Sequence, residues 1–240
     1  MMVSCVMPTK DRRKFIKAAI DCYQKQLWPD KELVILDDGE DKVADCVPAN
    51  DPSIHYHTCS PHTTGEKRNM VNALAKGEII CHFDDDDWSA PKRVTDQVDF
   101  LKLTNKQVVG YSNILYWDLN RSLATFSRSH NPNHIYGLCQ CYYRAYWFGH
   151  RFIPTAVASD GAFSNTAAGG PSNIVATPTR QYEDIAFSTR AASVLAQSTR
   201  ADMIVSRIHG TNVSPKPQLI IDSQLIPAGF WENERYRLNG

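Results

Sequence analysis

The sequence predicts an α/β protein with a mostly parallel central sheet and helices on both faces. Two observations carry this expectation. The first half of the chain alternates short β-branched runs with stretches whose apolar residues recur at helical spacing. Polar, carboxylate-bearing segments follow the apolar runs, at the strand ends where open α/β sheets gather their functional loops.

Taken in order, Val3–Met7 reads as a first strand, punctuated by Pro8-Thr9. Lys10–Gln26 carries Phe15, Ile16, Ala19, Ile20 and Tyr23 on one helical stripe. After the turn Leu27-Trp28-Pro29-Asp30, Glu32–Leu36 is a second buried strand that ends on Asp37-Asp38-Gly39. Ile54–His57 is a weaker third strand. A helix opening at Thr64 places Met70, Val71, Leu74 and Ala75 on one face, with Gly77 as its expected stop. Residues 79–83 form the next buried strand. Pro91 begins a helix through Val94, Val98 and Leu101, in the position proline favours. Val108–Trp117 and Ser122–Ser127 read as two strands joined by a turn.

The second half is less regular. Leu138–Phe148 is rich in aromatics, and 152–179 is a long stretch of Ala, Gly, Ser and Pro without clear period. Tyr182–Gln197 returns to helical spacing through Ile185, Phe187, Ala191, Val194 and Leu195, and Met203–Ile208 reads as a strand. The expected organisation is one domain over 1–214, divided into a regular half at 1–105 and a less regular half at 106–214, with an extension at 215–240.

Composition narrows the function classes. Lys plus Arg and Asp plus Glu both total 26, so no net field favours nucleic acid or an anionic membrane. No apolar run is long enough to span a bilayer. Seven scattered cysteines, an odd number, read as free thiols of a reducing compartment, and the expected location is cytoplasmic, or peripheral to a membrane.

The chemistry concentrates in Asp84-Asp85-Asp86-Asp87, which follows the apolar run Ile79–Phe83 and is closed by Trp88. If the strand persists into the run, its period of two sends Asp84 and Asp86 to one side and Asp85 and Asp87 to the other. Four adjacent carboxylates repel one another and hold their charge more easily around a cation. Oxygen ligands suit Mg2+, Mn2+ or Ca2+ rather than zinc.

Once these loops are placed at one sheet edge, the chain resembles a family 2 glycosyltransferase of the GT-A fold. The resemblance rests on Val6-Met7-Pro8-Thr9-Lys10-Asp11-Arg12, Val34-Ile35-Leu36-Asp37-Asp38-Gly39, Thr64-Gly65-Glu66-Lys67-Arg68-Asn69 followed by Ala75–Ile80, and Asp84–Asp87. It implies a metal-dependent, inverting enzyme that moves a sugar from a nucleotide sugar, most simply a UDP-sugar. The acceptor would be a hydroxyl of a glycan, a lipid-linked intermediate or a protein.

By that resemblance, Pro8, Thr9 and Asp11 or Arg12 line the nucleobase and ribose site, and Asp38 or Asp37 accepts a hydrogen bond from the base. Arg68 sits near the base and diphosphate. Asp84 and Asp86 match the family's Asp-x-Asp, the first near the ribose and the second binding Mn2+ or Mg2+, while Asp85 and Asp87 could exchange roles with them. Asp184, with Glu183 as its alternate, would take the proton from the acceptor hydroxyl. His209 resembles a late histidine that completes the metal site. Two other readings remain at this point: a sugar-nucleotidyltransferase, which would carry a Gly-rich phosphate loop where Pro8-Thr9-Lys10 stands, and a non-catalytic nucleotide- or metal-binding module. Ala156–Gly170 matches no motif of the family, and Trp88, Tyr143, Trp147 and Trp231 are either core residues or sugar-stacking surfaces.

Overall fold

The computed structural model describes residues 1–129, 135–153, 162–164, 195–210 and 219–239. Its centre is a parallel set of strands, β1 (Val3–Thr9), β2 (Lys31–Asp37), β3 (Ile54–Thr58) and β4 (Ile79–His82). β1 lies between β2 and β4, with Val6 opposite both Val34 and His82 and Thr9 opposite Asp37. Three of these strands are near-continuous apolar runs because both faces are covered. On one face, helices α1 (Arg13–Gln24) and α3 (Arg93–Thr104) bury Ile16, Ile20, Val94 and Val98 against Val3, Cys5 and Met7. On the other, helix α2 (Thr64–Leu74) packs Val71 against Val6, Val34 and Ile80.

Beyond β4 the sheet continues through β9 (Cys141–Tyr143), β6 (Val108–Tyr111) and β12 (Leu195–Ser198), with β9 antiparallel to its neighbours. Helix α4 (Arg144–Gly149) follows β9 and buries Trp147 beside α2. A second sheet among the described residues runs β14 (Leu219–Ile220), β8 (Leu123–Arg128), β7 (Asn113–Asp118), β13 (Ile204–Ile208) and β5 (Trp88–Ser89). A short pair, β10 (Arg151–Ile153) and β11 (Ala162–Ser164), belongs to neither sheet and packs on α2 through Phe152. Helix α5 (Ala228–Asn239) drives Phe230 into the core of the second sheet against Trp88 and lies along α1.

The structure revises several local expectations. Val108–Trp117 is two strands, because the chain leaves the central sheet at Ser112 and enters the second one. There the Ser112 N–H donates to Ser198 O and its carbonyl accepts from Ser129 N–H, which seals the break. The apolar pattern runs through both strands and so conceals the change of sheet. Helix α2 ends at Leu74, and Gly77 is required for a different reason: a Cβ there would lie 2.6 Å from the Ser4 nitrogen. Helix α3 begins at Arg93, two residues after Pro91, with Pro91-Lys92 in a turn whose Ala90 carbonyl accepts the Arg93 N–H. Of the helical stretch expected over Tyr182–Gln197, residues 182–194 lie outside the described residues. Its last three residues are strand instead, since Leu195 pairs in parallel with Val108.

Candidate active site

The parallel register of β1, β2 and β4 brings three loops to one edge: Pro8-Thr9 into Lys10–Arg12, Asp37–Gly39, and Asp84–Asp87. The first two are sutured together. The Asp11 carboxylate accepts the Asp41 N–H at 2.9 Å, and Asp11 itself adopts φ 53°. Gly39 is pressed so close that a Cβ would sit 2.5 Å from the Asp11 nitrogen, so only glycine fits.

Asp37 is buried and engaged within the chain. One oxygen accepts Gly39 N–H at 2.8 Å; the other accepts Val43 N–H at 3.0 Å and the Tyr56 hydroxyl at 2.6 Å. That carboxylate in turn helps burial hold the Tyr56 phenol above its usual range. Asp38 is also buried, accepting Lys67 Nζ at 2.7 Å and His62 N–H at 3.1 Å. Lys67 and Arg68 reach this edge because α2 starts on a reciprocal cap. Thr63 accepts the Glu66 N–H while the Glu66 carboxylate accepts the Thr63 N–H. Arg68 is buried, its guanidinium 5.6 Å from the Phe152 ring centre.

The aspartate run does not continue the strand. β4 ends at His82, Phe83 N–H still donates to Val6 O at 3.0 Å, and Asp85-Asp86 then turn the chain into β5. The expected alternation is therefore replaced by a turn that gathers Asp84, Asp86 and Asp87, each offering an oxygen within 4.8 Å of the others. Asp85 is buried, and its carboxyl is pushed well above the usual range by burial and by repulsion from Asp86, against the pull of Thr9 and Arg12. The Arg12 Nε lies 3.7 Å from Asp85 and 3.8 Å from Asp86.

β13 supplies the opposite wall. Its antiparallel pairing with β5 sets Val205 beside Trp88 and carries the chain on to Arg207 and His209. The Arg207 N–H donates to Asp87 Oδ1 at 3.0 Å, and its Nη1 donates to the Asp86 carbonyl at 2.9 Å. His209 Nε2 lies 2.9 Å from Asp86 Oδ2, with the imidazole stacked on Phe15 at 4.5 Å. The three gathered carboxylates, with the imidazole beside one of them, offer mainly oxygen donors of the kind that suit Mg2+ or Mn2+.

The edge thus brings together Pro8, Thr9, Asp11, Arg12, Asp37, Asp38, Asp84, Asp85, Asp86 and His209, with Arg68 on the neighbouring helix. Glu183 and Asp184 lie outside the described residues, as does Ala156–Gly170 apart from the strand residues 162–164. Trp88 and Trp147 are buried core residues; Tyr143 and Trp231 are partly buried, Trp231 edge-on to Trp117. Sequence reasoning passed over Lys67, which pairs with Asp38, and Arg207, which braces the aspartate turn. The signal for Arg207 is its spacing two residues before His209, the strand period that puts both on one face.

The sequence model of the family described as Glycosyl transferase family 2 matches residues 4–149, more than half of the chain, and the chain belongs to that family. An Escherichia coli (strain K12) protein named as a colanic acid biosynthesis glycosyl transferase, WcaA, is 33% identical over 99 residues, covering 39% of this chain and 36% of that one. Among solved structures, S. aureus TarS 1-349 superposes with TM-score 0.62 at 16% identity, covering 86% of this chain and 60% of that one. The same TarS fragment in complex with UDP-GlcNAc gives TM-score 0.61 at 15% identity, over 99% of this chain and 65% of that one. The mannosyltransferase PcManGT from Pyrobaculum calidifontis, in complex with GDP-Man and Mn2+, gives 0.59 at 15% identity, over 86% and 56%. The architecture is the GT-A fold of these transferases. The chain spans about a third of the length of WcaA and less than two thirds of these structural relatives.

Proposed function

We propose that the chain transfers a sugar from a nucleoside diphosphate sugar, most simply a UDP-sugar, to a hydroxyl of a glycan, lipid-linked or protein acceptor. The observation that carries this reading is the gathering of Asp84, Asp86 and Asp87 opposite His209, at the same sheet edge as Pro8-Thr9 and Asp38. These four side chains would hold Mn2+ or Mg2+. When bound, the cation supplies neutralisation of the charge that develops on the departing nucleoside diphosphate.

The remaining assignments concern this chain's own groups. Asp38 is the better candidate for the nucleobase, since each of its oxygens accepts a single donor, Lys67 Nζ or His62 N–H, whereas the Asp37 oxygens accept two backbone N–H groups and a phenol. Lys67 fixes the Asp38 carboxylate, and Pro8, Thr9, Asp11 and Arg12 would line the ribose side. Arg12 adds positive charge beside the carboxylates, and Arg68 would face the base and diphosphate. In this reading Asp184, or Glu183 in its place, removes the acceptor proton as the hydroxyl attacks the anomeric carbon with inversion. The complexes of the structural relatives, TarS with UDP-GlcNAc and PcManGT with GDP-Man and Mn2+, support the donor class and the ion.

Isothermal calorimetry with UDP, with and without Mn2+, and with GDP as control tests the reading. Mn2+-dependent binding of UDP in preference to GDP is the expected result. Tighter GDP binding would overturn the uridine assignment, and no binding of either with Mn2+ present would overturn the catalytic reading in favour of a non-catalytic module.

A further inference from the structure

We infer that Glu234, on the C-terminal helix α5, is a positioning residue for the cation site, resting on the reading of Asp84, Asp86, Asp87 and His209 given above. Glu234 does not touch the aspartates; it reaches them along two routes.

The first route runs through Arg207. This guanidinium is fully buried, lies 5.1 Å from the Phe230 ring centre, and has each of its nitrogens assigned. Nε donates to Glu234 Oε1, Nη2 donates to Asn233 Oδ1 at 2.7 Å, and Nη1 donates to the Asp86 carbonyl at 2.9 Å. The Arg207 backbone N–H meanwhile donates to Asp87 Oδ1 at 3.0 Å. The turn that gathers the aspartates is therefore held from below by a cation that the Glu234 carboxylate in turn holds in place.

The second route runs through Arg237. Its Nη2 donates to Glu234 Oε2 at 3.0 Å, and its guanidinium lies 5.4 Å from the Phe15 ring centre. Phe15 stacks on His209, which lies 2.9 Å from Asp86 Oδ2. One carboxylate thus orients both the backbone of the aspartate turn and the ring that backs the imidazole. Its helix is itself fastened to α1, where Asn233 Nδ2 donates to Ala18 O at 3.1 Å and Asp21 Oδ2 at 3.0 Å.

Groups that orient metal ligands from behind are typically worth about 10–100-fold in metal affinity. Glu234→Gln removes the charge at nearly constant volume. It should weaken Mn2+ binding about tenfold or more in the presence of saturating UDP, read from the loss of the free Mn2+ signal in electron paramagnetic resonance. Glu234→Asp, which restores the charge on a shorter arm, should recover part of the loss. Gly77→Ala serves as the control for general destabilisation, since it strains the contact with Ser4 on the far side of the sheet. If Glu234→Gln does not fold, Glu234→Asp, which withdraws the carboxylate from Arg207 by one methylene, carries the same test with an intermediate loss. Wild-type affinity in Glu234→Gln, or in Glu234→Asp where that variant stands in, would overturn the inference, as would an equal loss in Gly77→Ala. Failure of the unmodified protein to bind Mn2+ with UDP would instead overturn the underlying site assignment.

Discussion

Two acidic motifs end two strands of the same sheet, and they have opposite fates. At the end of β2, Asp37 and Asp38 are each drawn inward and given donors from their own chain: Gly39, Val43 and Tyr56 for the first, His62 and Lys67 for the second. At the end of β4, the turn presses Asp84, Asp86 and Asp87 together, so that the nearest groups to each include other carboxylates. Supplying N–H donors makes a carboxylate part of the scaffold, whereas grouping carboxylates stores repulsion that a divalent cation relieves. Identical residue types in similar positions thus divide into a loop whose carboxylates are held by donors of the chain and a candidate cation-binding loop.

The comparison can be broken most forcefully at Asp86. Asp86→Ala should reduce sugar transfer by roughly 100-fold or more, the scale seen when a group aimed at developing charge is removed, while the melting temperature changes little. A steady-state assay with a UDP-sugar beside thermal denaturation measures both. Asp37→Asn should show the reverse. An amide cannot accept from Gly39, Val43 and Tyr56 as a carboxylate does, so about 2–3 kcal/mol of stability should be lost. Urea denaturation followed by circular dichroism reads that loss, and Mn2+ affinity should survive in the folded fraction.

A smaller effect sharpens the scaffold side. Gly39→Ala should cost about 1–3 kcal/mol, since the added methyl group meets the Asp11 backbone and both loops must shift. Thr63→Ala removes the acceptor from the cap of α2, and should lower stability by about 1 kcal/mol. Because α2 carries Lys67, that variant should also weaken UDP binding slightly, and calorimetry would show it.

Much of this edge was legible in the sequence because strand ends and turns leave strong local signals. The apolar run before Asp84, the proline after Met7 and the glycine after Asp38 each mark a strand end, and the parallel register follows from the alternation of elements. What was not legible depends on contacts distant in sequence. The turn at Asp85-Asp86 arises as β5 pairs with β13, more than a hundred residues away, and four identical residues carry no local signal of which three are gathered. The change of sheet at Ser112 was hidden for a related reason: both strands it separates are buried, so the apolar pattern continues unbroken. The strand at Leu195 shows a third case, in which helical spacing among alanines and a few branched residues yielded to pairing with β6.

In this reading the turn after β4, and not the loop after β2, holds the cation beside the nucleotide. Crystals grown with MnCl2 and UDP, with anomalous data collected at the manganese edge, test it most directly. One strong peak is expected among the carboxylates of Asp84, Asp86 and Asp87, beside His209 and the UDP phosphates. A peak at Asp37-Asp38, or bound UDP with no manganese at the aspartate turn, would contradict it.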